Sequence, residues 1–140
     1  MRYFLVSALS TFLLTLGTYS LSAPLMAEIT DIRQQLNSIE NSRINFPKGK
    51  NSTTIQNAVN EIYIFRANAG QLLTLKVNSL GARASVTLYS VNGQPLSPVF
   101  SGFTGEEKVF STRLLKTGDY YILGYAGPTN HSYDFTLSIK

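Results

Sequence analysis

Side chains able to make or break bonds are sparse in this chain. Its 140 residues include one histidine, His131, and neither cysteine nor tryptophan. Without cysteine there is no thiol nucleophile, no disulfide framework and no Cys-ligated zinc or iron–sulfur site. An acyl-transfer site would need His131 as base, Ser101 or Ser111 as nucleophile and Asp119 or Asp134 to orient the base. No spacing ties these together, and Ser101-Gly102 lacks a nucleophile-elbow pattern. His131 stands in Pro128-Thr129-Asn130-His131-Ser132, a stretch of turn composition, and reads as a solvated loop residue. Gly102-Phe103-Thr104-Gly105 has no following Lys-Ser/Thr, so it is no phosphate cradle. A glycoside hydrolase would draw its acid and base from Glu106, Asp119 or Asp134, but Glu106-Glu107 reads as a charged turn. Residues 62–105 contain no Asp or Glu. Calcium wants six to eight oxygens, several of them anionic, so no metal and no cofactor is expected.

The remaining candidates are aromatic. Tyr121, Leu123 and Tyr125 form a period-two row, and Phe100 and Phe103 lie among Ser and Gly. Flat rings stack on sugars or fill pockets of a protein partner, with a polar rim adding hydrogen bonds. The opposing reading packs the row under Ile62, Ile64 or the segment before the strands, because paired apolar rows are usually core. Tyr121, Tyr125 and Phe103 are the candidate binding residues, and none is a candidate catalyst.

Strands must position them. Tyr133, Phe135, Leu137 and Ile139 share one face, while Asp134, Thr136, Ser138 and Lys140 share the other. Leu73, Leu75 and Val77 alternate with Thr74 and Lys76, and Ala84, Val86 and Leu88 with Ser85 and Thr87. Period two with one polar face is a sheet covered on one side, and two such sheets bury their apolar rows against each other. The predicted strands are 53–59, 61–67, 72–78, 83–90, 108–114, 119–126 and 133–140. Pro95 and Pro98 make the segment between an irregular run or an edge. Val91-Asn92-Gly93-Gln94 carries an Asn-Gly hairpin signal. Seven or eight strands at such spacings predict an all-β antiparallel sandwich or barrel. Segments 61–67 and 119–126 are apolar on both faces, which marks them as central and doubly covered or as part of an exposed patch.

The first 27 residues read differently. Met1-Arg2 is followed by no charged side chain until Glu28, and Tyr3–Val6 and Phe12–Leu14 supply an apolar run ahead of Leu25-Met26-Ala27. This is the layout of a cleaved secretory signal, although 3–27 is also long enough for a retained membrane anchor. Residues 28–43 follow as a linker or short marginal helix, with Ile29, Ile32, Leu36 and Ile39 on one face and Thr30 or Asp31 as cap. A frayed spacer is the expected state of such a mature N-terminus, and partner docking the alternative. From residue 28 onward the chain carries eleven basic and eight acidic residues, a net +3, with no Lys/Arg run. That pattern excludes tracking of a nucleic-acid backbone.

The strands also resemble a known family. Asn60-Glu61-Ile62-Tyr63-Ile64-Phe65 followed by Ala69-Gly70-Gln71-Leu72-Leu73-Thr74-Leu75 is similar to the opening of bacterial pre-peptidase C-terminal domains. Val86-Thr87-Leu88-Tyr89 with Gly93, then Leu115–Ile122 with Gly118 and Tyr120, then Tyr133–Leu137, resemble that family's hairpin, corner and closing strand in order. The resemblance spans residues 44–140. It implies a secreted, non-catalytic, jelly-roll-like β-sandwich that accompanies exported enzymes or binds polymers such as polysaccharide or collagen. Some relatives hold calcium, and linker residues Glu28, Asp31 and Glu40 are the counterparts to consider, but the ligand set is sparse. There is also no catalytic domain here for it to accompany. The expectation is an exported module, periplasmic or extracellular, that contacts a polysaccharide or an envelope or secreted protein and meets the membrane only through an uncleaved signal. A small exported hydrolase is the alternative.

Overall fold

A computed structural model describes residues 31–79, 83–104, 107–125 and 132–140, with the backbone alone at 83 and 97–104. The expected signal segment, Thr30, Glu106 and His131 lie outside the described residues. The strands are β1 (Asn41–Arg43), β2 (Ser52–Ala58), β3 (Ile62–Ala67), β4 (Leu72–Asn78), β5 (Arg83–Tyr89), β6 (Pro95–Thr104), β7 (Glu107–Arg113), β8 (Gly118–Tyr125) and β9 (Tyr133–Ile139).

They form two sheets, of order β1-β3-β8-β5-β6 and β2-β9-β4-β7. Setting β1 aside, every neighbouring pair is antiparallel and the eight strands are shared four and four. This is the jelly-roll winding, in which the chain alternates between two packed sheets. The alternation drives it. Leu73, Leu75 and Val77 of β4, Ala84, Val86 and Leu88 of β5, and Phe135, Leu137 and Ile139 of β9 are all buried in one core. Phe65 stacks on Tyr120 with ring centroids 5.7 Å apart, and Tyr63 meets Phe135 edge-on at 5.2 Å. Each large side chain buried this way contributes about 1.5–3 kcal/mol before entropy is charged. On the outer face of the second sheet, hydroxyls pair across strands instead, Thr54 with Thr136 at 2.8 Å and Thr74 with Ser111 at 3.0 Å.

Two turns fix the register. In the β5–β6 hairpin the Gly93 amide donates to the Ser90 carbonyl at 2.8 Å, and Gly93 takes φ +84°, as the Asn-Gly signal requires. At the start of β8, Gly118 has φ +153° and a Cβ there would press on Val91. Pro95–Thr104, expected as irregular or an edge, is an edge strand with register shifts against β5.

The lead differs from the frayed spacer expected. Ile32–Gln35 is a single 3₁₀ turn, capped by the Asp31 carboxylate, which accepts from the Arg33 amide at 3.0 Å. Asn41–Arg43 then runs parallel to β3, a ninth strand that its polar sequence does not announce. Backbone pairing holds it, with the Ile62 amide donating to the Glu40 carbonyl at 2.8 Å and the Ile44 amide to the Ile64 carbonyl at 2.7 Å.

Candidate functional site

The aromatic row lies on the outer face of the five-stranded sheet, and the lead closes most of that face. Register sets Ile64 opposite Tyr121, Ile62 opposite Leu123, and Tyr89 opposite Tyr121 on the other side. Ile32 drops onto this group and is fully buried there, joined at the margin by Leu36, Ile39 and Ile64. The Ile32 amide donates to the Gly93 carbonyl at 3.0 Å. A side chain on Gly93 would collide with the Asp31 carboxylate. That carboxylate in turn receives Arg33 Nε at 3.0 Å and Nη2 at 2.8 Å. At the far end of the lead, Arg43 donates both guanidinium branches to Asp119, at 3.1 and 2.8 Å. This Arg43 contact holds the Asp119 carboxyl below the usual carboxylate range.

Tyr121 is therefore only 7% exposed and Leu123 4%. The expectation of Tyr121 as an open stacking ring is corrected by the cover above it. Desolvation raises its hydroxyl's pKa. Tyr125, at the C-terminal end of β8, remains 45% exposed beside Ser85. The Phe103 backbone pairs with Ala84 at the same end of the sheet, and its side chain lies outside the described residues.

The opposite end of the sandwich carries an open recess of about 420 Å³ lined by Phe46, Lys50, Asn51, Arg66, Ala67, Asn68, Gln71 and Ile139. Three separate segments build it. Pro47–Lys50 is a turn closed by the Lys50 amide on the Pro47 carbonyl at 2.9 Å, with Gly49 at φ +75°. The β3–β4 hairpin is locked by the Asn68 amide on Gln71 Oε1 at 2.7 Å and by Arg113 Nη1 on the Gly70 carbonyl at 2.6 Å. The end of β9 enters through the Ile139 amide, which donates to the Asn51 carbonyl at 2.8 Å. Two cationic residues, three amide side chains and one aromatic residue thus border a single opening. Such a border suits carboxylate groups and sugar hydroxyls, which take charge-assisted and amide hydrogen bonds. Sequence reading places Arg66 and Ala67 in the predicted strand 61–67 and Ile139 on the apolar face of the last one, and it names none of the eight as a site. The turn signals Pro47–Asn51 and Asn68–Gln71 mark both loops, but nothing in the sequence brings them to one place.

Of the groups a hydrolase would need, Asp119, Ser111 and Asp134 have described side chains, and these three stand apart. Asp119 is bound to Arg43 on the outer face of one sheet, Ser111 to Thr74 on the outer face of the other, and Asp134 accepts from the Asn57 amide at 2.8 Å. Among the described residues, no three His, Asp or Glu gather as metal ligands, and no helix is long and apolar enough to cross a membrane.

No protein-family model matches the chain, and no curated protein matches it. Solved structures do. A periplasmic inhibitor of g-type lysozyme from Aeromonas hydrophila is 18% identical with a TM-score of 0.54, over 73% of this chain and 97% of that one. The pre-peptidase C-terminal domain of a Bacillus anthracis collagenase is 17% identical with a TM-score of 0.45, over 73% and 96%. The C-terminal domain of EclA, a sugar-binding protein, is 15% identical with a TM-score of 0.44, over 69% and 82%. At such identities the likeness to the inhibitor is one of fold.

Proposed function

We propose that this chain is an exported, non-catalytic binding module that meets its partner with an end of the sandwich and not with a sheet face. The observation that carries this reading is the gathering of Phe46, Lys50, Asn51, Arg66, Asn68 and Gln71 around one opening. The closed aromatic face supports it, since Ile32 already occupies the surface where a sugar or peptide would otherwise stack. The partner is a polysaccharide or an exported protein that presents carboxylates and hydroxyls. A periplasmic lysozyme inhibitor and a sugar-binding domain among the structural neighbours fit either class. Tyr125 supports a second point of contact, at the other end, because it stays exposed on strand β8. Aromatic side chains of that kind serve as anchors at interfaces. Binding of the wild-type protein to acidic and neutral polysaccharides and to an exported-protein fraction tests the reading. Lys50→Glu with Arg66→Glu distinguishes the recess from Tyr125→Ala at the opposite end.

A further inference from the structure

Four strands lie at sheet edges, and three of them are poor templates for another chain. β1 has three residues, β2 is interrupted by a bulge at Asn57 with φ +56°, and β6 shifts register twice and holds Pro95 and Pro98. Strand β7 is different. Its seven residues pair with β4 without a shift from Glu107 to Arg113, and among the described strands it pairs with nothing else. A long regular edge is what another strand needs in order to add to a sheet.

The directions of its backbone groups follow from the ladder. The Leu72 amide donates to the Lys140 carbonyl at 2.7 Å and the Lys140 amide to Leu72 at 3.0 Å, while the Leu114 amide donates to Gln71 at 2.8 Å. Antiparallel alternation then turns Leu73, Leu75 and Val77 toward β7, where they meet Thr112, Phe110 and Lys108. Glu107, Val109, Ser111 and Arg113 consequently direct their N–H and C=O groups away from β4. All four are exposed, Val109 at 57%.

We infer that β7 joins two copies of this chain edge to edge, antiparallel, about a twofold axis at Phe110. In this register Glu107 faces Arg113 of the second copy and Val109 faces Ser111, and each pair repeats by symmetry. All four facing residues are those whose backbone groups point outward, so the hydrogen-bonding phase of the ladder is satisfied. Lys108 falls opposite Thr112, and no like charges meet. Sliding the strands by one pairing step in either direction sets Glu107 opposite Ser111, or Val109 opposite Arg113, and loses both opposite-charge pairs. Cross-strand charge pairs of this sort set register and partner. Because the contact is isologous it uses both copies of β7 and leaves no growing end. The two four-stranded sheets become one of eight, with the hydroxyl-bearing faces continuous.

Sedimentation of the purified protein from micromolar to millimolar concentration tests this. A concentration-dependent dimer is expected. Val109→Pro removes an outward N–H while sparing the β4 ladder, as edge positions allow. It should weaken the dimer roughly tenfold or more. Arg113→Glu should weaken it likewise by setting like charges opposite each other, and adding Glu107→Arg should restore it. Restoration by charge exchange keeps the test open even if the proline variant unfolds. A monomer at every concentration, or a dimer indifferent to Arg113→Glu, overturns the inference.

Discussion

The Tyr120 hydroxyl donates to the Lys116 carbonyl at 2.6 Å, four residues back along the chain. Its ring is 2% exposed and stacks on Phe65. One side chain thus anchors β8 in the core and ties down the turn that precedes it, while the Thr117 hydroxyl accepts from the Ala69 amide at 2.9 Å and joins that turn to the β3–β4 hairpin. Tyr120→Phe should cost about 1 kcal/mol, the net worth of one such hydrogen bond. Tyr120→Ala should cost about 3–5 kcal/mol. Urea unfolding measures both, and a loss under about 1 kcal/mol for the alanine variant contradicts the anchoring role.

Closure of the aromatic face makes a separate prediction. Ile32→Ala should destabilise by about 2–5 kcal/mol, the range for emptying a buried aliphatic site. It should also raise acrylamide quenching of tyrosine fluorescence, because Tyr89 and Tyr121 lose their cover. Tyr121→Ala should lower the urea midpoint strongly, whereas Tyr125→Ala should leave it nearly unchanged. Equal, small effects from the two tyrosines would mean that the lead does not hold the face shut.

The pH dependence has two limbs. The Arg43 hydrogen bonds hold the Asp119 pKa below the ordinary carboxylate value, so the stabilisation is present above that value and is lost as pH falls through the lower folded one. Asp119→Asn should flatten the acid limb of a plot of urea midpoint against pH. At the alkaline end, burial pushes Tyr63 up to about 12 and raises Tyr133 as well. Those tyrosines ionise more readily once unfolded, so their contribution is complete below about pH 10 and declines above it. An acid limb identical in wild type and Asp119→Asn would remove the Arg43 contact from the account.

Gly124 and Tyr133 are matched across the core. A Cβ on Gly124 would collide with the Tyr133 ring. Gly124→Ala should therefore destabilise by about 1–3 kcal/mol through overpacking. The Tyr133 hydroxyl is buried without a hydrogen-bond partner among the described residues. Tyr133→Phe should then be neutral or raise stability by about 1 kcal/mol, since an unsatisfied polar group is costly to bury. A marked loss of stability in the phenylalanine variant would point to a partner for that hydroxyl.

The sandwich was legible because its strands alternate strictly, as in Tyr133–Ile139, where every second residue is buried. Of the two readings left open for the doubly apolar segments 61–67 and 119–126, central and covered or an exposed patch, β3 and β8 follow the first. The segment before the strands was one of the covers offered for the second face, but the way it docks was not legible. The polar run Asn41-Ser42-Arg43 becomes a strand through backbone pairing with β3 and the Arg43 contact to Asp119, and Ile32 acquires its burial from partners far along the chain. The recess was hidden for the same reason, because Lys50, Arg66 and Gln71 come from loops and strand ends that only the winding of the chain brings together.

The most direct test of the binding account is a paired measurement on one variant, Lys50→Glu with Arg66→Glu. Polysaccharides and exported proteins retained by the immobilised wild-type protein are identified first, and the affinity of the retained partner is then compared with the urea midpoint. The account predicts an affinity loss of roughly tenfold or more with little change in midpoint, as expected for contacts made only in the complex. Unchanged affinity in that variant, or a wild-type protein that retains nothing, would contradict it.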